Sequence, residues 1–133
     1  MADTTLLVID DSPFASKQIK DTVEDSGYEV IGYARNGEEG IKMYDELHPD
    51  IVILDIIMPG IDGIETAKIL LEHDPKIAIM MLSSLCDAGT LEEIKEIGLK
   101  YLLPKPWEND VLLATLEMLK NQKKGKDGKD KDA

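Results

Sequence analysis

The 133-residue sequence predicts an α/β fold, a doubly wound five-stranded parallel sheet with five helices. Three observations carry this. Short apolar runs alternate strictly with longer segments whose apolar residues recur at helical spacing. The third run, Ile51-Val52-Ile53-Leu54, is apolar at every position, the pattern of a strand buried on both faces by covering helices. The joints between segments are cap and turn residues, among them Gly27, Asn36-Gly37, His48-Pro49, Asp74-Pro75 and Gly98.

The first strand is Leu6 to Ile9, ending on Asp10-Asp11. Ser12 suits an N-cap and Pro13 the first helical position, and the helix they open runs to about Ser26 with Phe14, Ile19 and Val23 inward. Gly27 is its C-cap signal. Glu29 to Ala34 is the second strand. Asn36-Gly37 turns the chain into a helix from about Glu38 to Leu47 that buries Ile41, Tyr44 and Leu47, and His48-Pro49 stops it. The third strand ends on Asp55, before the Pro59-Gly60 turn. Asp62 caps a helix carrying Ile64, Ala67 and Leu71. The fourth strand, Ile77 to Leu82, ends on Ser83-Ser84. The next helix buries Leu91, Ile94 and Ile97. The fifth strand, Tyr101 to Leu103, ends on Pro104-Lys105-Pro106, and a proline that cannot donate to the ladder puts it at an edge or at its own end. The last helix runs from about Glu108 to Lys120 with Val111, Leu112, Leu116 and Leu119 inward. Residues 1–121 then form one domain, and 122–133 a disordered Lys/Gly/Asp tail.

The formal net charge of −12 is unevenly spread. From Lys120 onward six Lys stand against three Asp, while the preceding residues hold nine basic and 24 acidic side chains. Direct nucleic-acid binding by the domain is not expected, because phosphate binding needs clustered Lys and Arg. The single cysteine, Cys86, excludes an internal disulfide and fits a reducing compartment. With no signal-like N-terminus and no run of membrane-spanning length, a cytoplasmic protein is expected.

In an open parallel sheet, ligands bind at the carboxyl ends of the strands. Those ends carry Asp10 and Asp11, then Asp55, Ser83 and Lys105. A lone acid there is ordinarily a cap or a solvated loop residue, but here several strands end on complementary groups. Two carboxylates about 4 Å apart repel by about 4 kcal/mol at an effective dielectric near 20, so a shared proton or a cation must offset them. An all-oxygen set without His or Cys suits Mg²⁺ rather than zinc. His48 and His73 stand at helix ends and read as surface residues. Acids, a cation, a Lys and a hydroxyl suit phosphoryl chemistry, and a carboxylate can be the nucleophile, forming an aspartyl-phosphate. Asp55, on the central strand, is the candidate.

Four motifs in this order, Leu7-Val8-Ile9-Asp10-Asp11-Ser12, Ile53 to Gly63, Leu82-Ser83-Ser84 and Leu103-Pro104-Lys105-Pro106, resemble the receiver domain of bacterial two-component response regulators over about residues 5–121. The resemblance implies a flavodoxin-like sheet of strand order 2-1-3-4-5, as in the chemotaxis regulator of this family. It implies that Asp55 accepts phosphate from a sensor histidine kinase, that Asp11, Asp55 and the Ile57 backbone carbonyl hold Mg²⁺, and that Asp10 acts partly through water. It further implies that Lys105 pairs with the carboxylate and then the phosphate, that Ser83 reports the phosphoryl group, and that the Lys105–Pro106 bond is cis. The expected partners are the kinase and a downstream protein target or histidine phosphotransfer domain. No membrane partner is expected, and the protein would act as a monomer or a phosphorylation-dependent dimer. Because the chain ends soon after the fifth helix, a stand-alone receiver is expected, a phosphoacceptor rather than a turnover enzyme.

The sequence departs from the family where an aromatic residue often stands three positions before the strand-five Lys. Leu102 occupies that place, and strand alternation turns Tyr101 the other way. Coupling through an aromatic rotamer is therefore not supplied by that position; the face of strand four, helix four and strand five remains the candidate output surface. Ile57 and Leu85, two residues past Asp55 and Ser83, cannot align water by hydrogen bonding, which predicts slow autodephosphorylation. Trp107 reads as an anchor for the last helix. Two rivals remain. An aspartyl-nucleophile phosphatase of the haloacid-dehalogenase type would want Asp-x-Asp-x-Thr where this chain has Asp10-Asp11-Ser12-Pro13. A phosphate-independent binding module would not need the complete acid, hydroxyl and Lys set. No glycine-rich nucleotide motif is present.

Overall fold

Each apolar run forms a strand. In the computed structural model, β1 (Thr4–Ile9), β2 (Tyr28–Ala34), β3 (Ile51–Asp55), β4 (Ala78–Ser83) and β5 (Leu102–Pro104) make one sheet of order β2-β1-β3-β4-β5, every neighbouring pair parallel. Between and after them run α1 (Pro13–Glu24), α2 (Gly37–Leu47), α3 (Gly63–His73), α4 (Ala88–Glu96) and α5 (Asn109–Asp132). The structure describes residues 4–58, 60–84 and 88–132, with residues 122–132 described for the backbone alone.

Alternation along the strands divides the core into two layers. Leu6, Val8, Ile51, Ile53, Met80 and Leu82 face α1 and α5, where Ile19, Val23, Leu112, Leu116 and Leu119 meet them. Leu7, Ile9, Val52, Leu54, Ile79 and Met81 face the other helices, meeting Tyr44, Ala67, Leu70 and Ile94. All five residues of β3 are buried, as a strand covered on both faces requires. Tyr101 packs into the first layer and Leu102 into the second, so the two do face opposite ways. Trp107 is buried in the first layer beside the start of α5.

The helical stripes are narrower than the sequence suggests. Phe14 is 79% exposed, because Ala15, Ile19 and Val23 fill the inward line of α1 and Phe14 stands one step round the helix from it. Val111 is likewise exposed one residue before Leu112. Leu47 and Leu91 are exposed, Leu71 yields its place to Leu70, and Ile41 and Ile97 are half-buried. β5 starts one residue later than expected and carries Pro104 as its last residue, on the sheet edge. The backbone of α5 continues helical to Asp132, through the segment expected to form a disordered tail. No proline follows Pro106, and Gly125 and Gly128 disfavour a helix by about 1 kcal/mol each without breaking it. Leu85 and Cys86 lie outside the described residues.

Candidate functional site

The parallel strands deliver their carboxyl ends to one sheet edge, and register fixes what stands beside what. Asp55, the last residue of β3, pairs with Leu82, so Ser83 lies one step further along the neighbouring strand. Ser83 in turn pairs with Pro104, and its carbonyl accepts the Lys105 N–H at 2.8 Å. The Lys105–Pro106 peptide is cis. On the other side Asp10 N–H donates to the Ala34 carbonyl at 2.9 Å, which holds the end of β1 against β2.

Asp10, Asp11 and Asp55 each offer a carboxylate oxygen within 4.8 Å of the others. Asp10 and Asp55 are buried, while Asp11 is exposed. The Lys105 ammonium bridges the buried pair, 2.9 Å from Asp10 Oδ2 and 3.3 Å from Asp55 Oδ2. Asp10 Oδ1 also accepts the Ser12 N–H at 2.8 Å, so this carboxylate serves the turn into α1 as well as Lys105. The resemblance pairs Lys105 with Asp55; here the shorter contact is to Asp10.

One cation does not balance this group. Burial, reinforced by the charge of Asp10, pushes the Asp55 carboxyl up from 3.8 to about 6, although Lys105 and the Ile57 backbone hydrogen bond oppose the rise. Burial pulls the Lys105 ammonium down, but its hydrogen bond to Asp10 and the charges of Asp10 and Asp55 outweigh that and raise it. The site is therefore short of positive charge. Three close oxygens with no nitrogen or sulfur donor in the set, one of them on an exposed residue that leaves room for water, fit a small hard divalent cation.

The predicted residues Asp10, Asp11, Asp55 and Lys105 thus converge. Ser83 stands at the adjoining strand end, fully buried. Ile57 lies two residues past Asp55, half-exposed, and its backbone reaches the Asp55 carboxylate. His48 and His73 are on the surface, His73 Nδ1 being 3.0 Å from Asp45. The sequence reading missed Glu38, whose carboxylate accepts the Ile61 N–H at 3.1 Å across the loop after β3. It also missed a cavity of about 340 Å³ between Asp10, Pro13, Lys20, Tyr33 and Arg35. Neither the bond nor the cavity has a local sequence signal.

The sequence pattern of the response regulator receiver domain matches residues 6–117. The chain belongs to this receiver family. The chemotaxis protein CheY of Listeria monocytogenes is 40% identical to it over 112 residues, covering 84% of this chain and 94% of that protein. A protein-glutamate methylesterase/protein-glutamine glutaminase of Moorella thermoacetica is 40% identical over 110 residues, which is 80% of this receiver but 26% of that longer protein. A chain in the crystal structure of the CheX-CheY-BeF3-Mg complex from Borrelia burgdorferi superposes with a TM-score of 0.85 at 29% identity, over 89% of this chain and 90% of that one. Receivers of this family are signalling domains of two-component systems. No helix among the described residues of this one is long and apolar enough to cross a membrane.

Proposed function

We propose that this receiver takes a phosphoryl group onto Asp55 from the phosphohistidine of a sensor kinase, in a Mg²⁺-dependent reaction, and so switches a protein-binding surface or hands the phosphate on to a histidine phosphotransfer domain. The observation that carries the reading is Lys105 spanning two buried carboxylates with Asp11 in reach of both. Residues 1–121 are the working unit in this reading, and residues 122–133 are an appendage to it. It works in the cytoplasm, as a monomer or a dimer formed on phosphorylation.

Asp10, Asp11 and Asp55 would hold Mg²⁺, with the Ile57 carbonyl as a further ligand. When bound, the ion offsets charge on the carboxylates and on the phosphoryl oxygens. Asp55 is the nucleophile: its carboxylate oxygen bonds to phosphorus as the P–N bond breaks, and that bond's electron pair leaves with the imidazole, which takes up a proton. Lys105 already lies 3.3 Å from Asp55, where its ammonium meets the charge spread over the transferred group. Ser83, at the end of β4, offers a hydroxyl to a phosphoryl oxygen and so links the site to the β4 and α4 side. Asp10 holds Lys105 in place through the shorter ion pair.

The test is phosphotransfer from a panel of autophosphorylated histidine kinases carrying labelled phosphate. Label should move to the wild type in Mg²⁺ and not to Asp55→Asn. Transfer that persists in Asp55→Asn, or that needs no divalent cation, overturns the reading.

A further inference from the structure

The loop from Ile56 to Asp62 carries Ile57, whose backbone bonds to the Asp55 carboxylate. Its base is closed by Gly63 N–H to the Ile56 carbonyl at 2.7 Å, and its exit by Asp62, whose Oδ1 caps α3 on Glu65 N–H at 2.8 Å. Its outer part, at Gly60 and Ile61, meets the start of α2. Asn36 opens α2 by accepting Glu39 N–H at 2.8 Å, and Gly37 lies so close to Ile61 and Thr66 that any Cβ there would overlap both. That close approach brings the next residue, Glu38, onto the loop. Its Oε1 accepts Ile61 N–H at 3.1 Å, and a Cβ at Gly60, which has φ +82°, would stand 3.0 Å from its Oε2. An acid at the second residue of a helix is ordinarily there for the helix dipole. Here it also spans 23 residues of sequence to hold a loop that touches the acid cluster.

We propose that Glu38 is a positioning residue for the metal site: it fixes the loop after β3 so that Ile57 stays in register with Asp55. This rests on the reading of Asp10, Asp11, Asp55 and the Ile57 carbonyl as Mg²⁺ ligands. Glu38 touches neither metal nor phosphate. Its effect passes through Ile61, Gly60 and the backbone of Ile57.

Two readouts test this on the full chain, Mg²⁺ affinity by calorimetry and amide exchange of Ile61 without metal. The variants are Glu38→Ala, Glu38→Gln and Glu39→Ala. Glu38→Ala should weaken Mg²⁺ binding about three- to tenfold, the scale of one charge-assisted hydrogen bond, and speed exchange at Ile61. Glu38→Gln keeps an acceptor oxygen and should stay within about twofold of wild type. Glu39→Ala removes an equal charge from the same helix turn and should leave both readouts unchanged. Equal losses in Glu38→Ala, Glu38→Gln and Glu39→Ala would reduce Glu38 to helix electrostatics and overturn the proposal. Unchanged affinity in Glu38→Ala overturns it while sparing the metal site. Failure of the wild type itself to bind Mg²⁺ overturns both the metal-site reading and the proposal.

Discussion

Replacing Asp55 by Asn should make the metal-free protein more stable, and the gain should depend on pH. In the folded chain the Asp55 carboxyl titrates near 6 against 3.8 when unperturbed, because it is buried beside Asp10. Between those values the folded state holds the proton more tightly than the unfolded state does. Stability from this group is therefore fully present below pH 3.8 and is lost as pH rises through about 6. Asn has no such loss. Lys105 also contacts Asp10, at 2.9 Å in the wild type, and that partner remains in the variant, so the substitution should not strand a buried cation. Linkage then gives a gap between variant and wild type of about 1 kcal/mol at pH 4.5 and about 3 kcal/mol above pH 7. Urea denaturation at a series of pH values in EDTA measures it directly, through the transition midpoint at constant slope. Adding Mg²⁺ should stabilise the wild type more than the variant and narrow the gap at pH 7.5. A variant whose deficit against wild type grew as pH rose would refute the reasoning, since it would mean that Asp55 is an ordinary favourable partner of Lys105 with a lowered carboxyl. A difference equal at every pH would refute it too, since it would mean that the carboxyl is not shifted at all.

Three further outcomes follow from the same geometry. Lys105→Ala leaves Asp10 and Asp55 facing each other without a cation, and should cost roughly 3 kcal/mol at pH 7.5 in EDTA, with less lost at pH 4.5 where Asp55 is protonated. Gly63→Ala would drive a Cβ into the Asp55 carbonyl and the Ile56 backbone, and should destabilise the fold by about 2 kcal/mol or more in urea titrations; a neutral result would mean that the β3–α3 junction shifts freely. Ile57→Asn puts a hydrogen-bonding side chain at the half-exposed mouth of the site, and should speed decay of the phosphorylated protein about three- to tenfold, measured by loss of label after the donor is removed. Equal or slower decay would remove the account of a long-lived phosphoryl state.

Much of the site is legible in the sequence because a parallel sheet converts order along the chain into nearness at one edge. Once Ile51 to Leu54 reads as a doubly covered strand, Asp55 must stand at its carboxyl end, and the same logic brings Asp10, Asp11, Ser83 and Lys105 to that edge. Tyr101 and Leu102 fall on opposite sides for the same reason, the two-residue repeat of a strand. Helix faces are read less well. Phe14 and Val111 fit an apolar stripe when types are counted, yet a stripe of Ala15, Ile19 and Val23, or of Leu112, Leu116 and Leu119, suffices to fill the space beneath. Residue type also fails to show which carboxylate Lys105 prefers. Asp10 wins the shorter contact because the turn into α1 fixes it through Ser12. Glu38 was unreadable for a different reason: its partner is a backbone amide 23 residues away, and any residue but proline supplies one.

The central claim is that Asp55 is a Mg²⁺-dependent phosphoacceptor, and intact mass after incubation with acetyl phosphate tests it most directly. Wild type in Mg²⁺ should gain the mass of one phosphoryl group, with no gain in EDTA and none in Asp55→Asn. A folded, Mg²⁺-supplied wild type that gains no mass, or an Asp55→Asn protein that gains as much, would contradict the account.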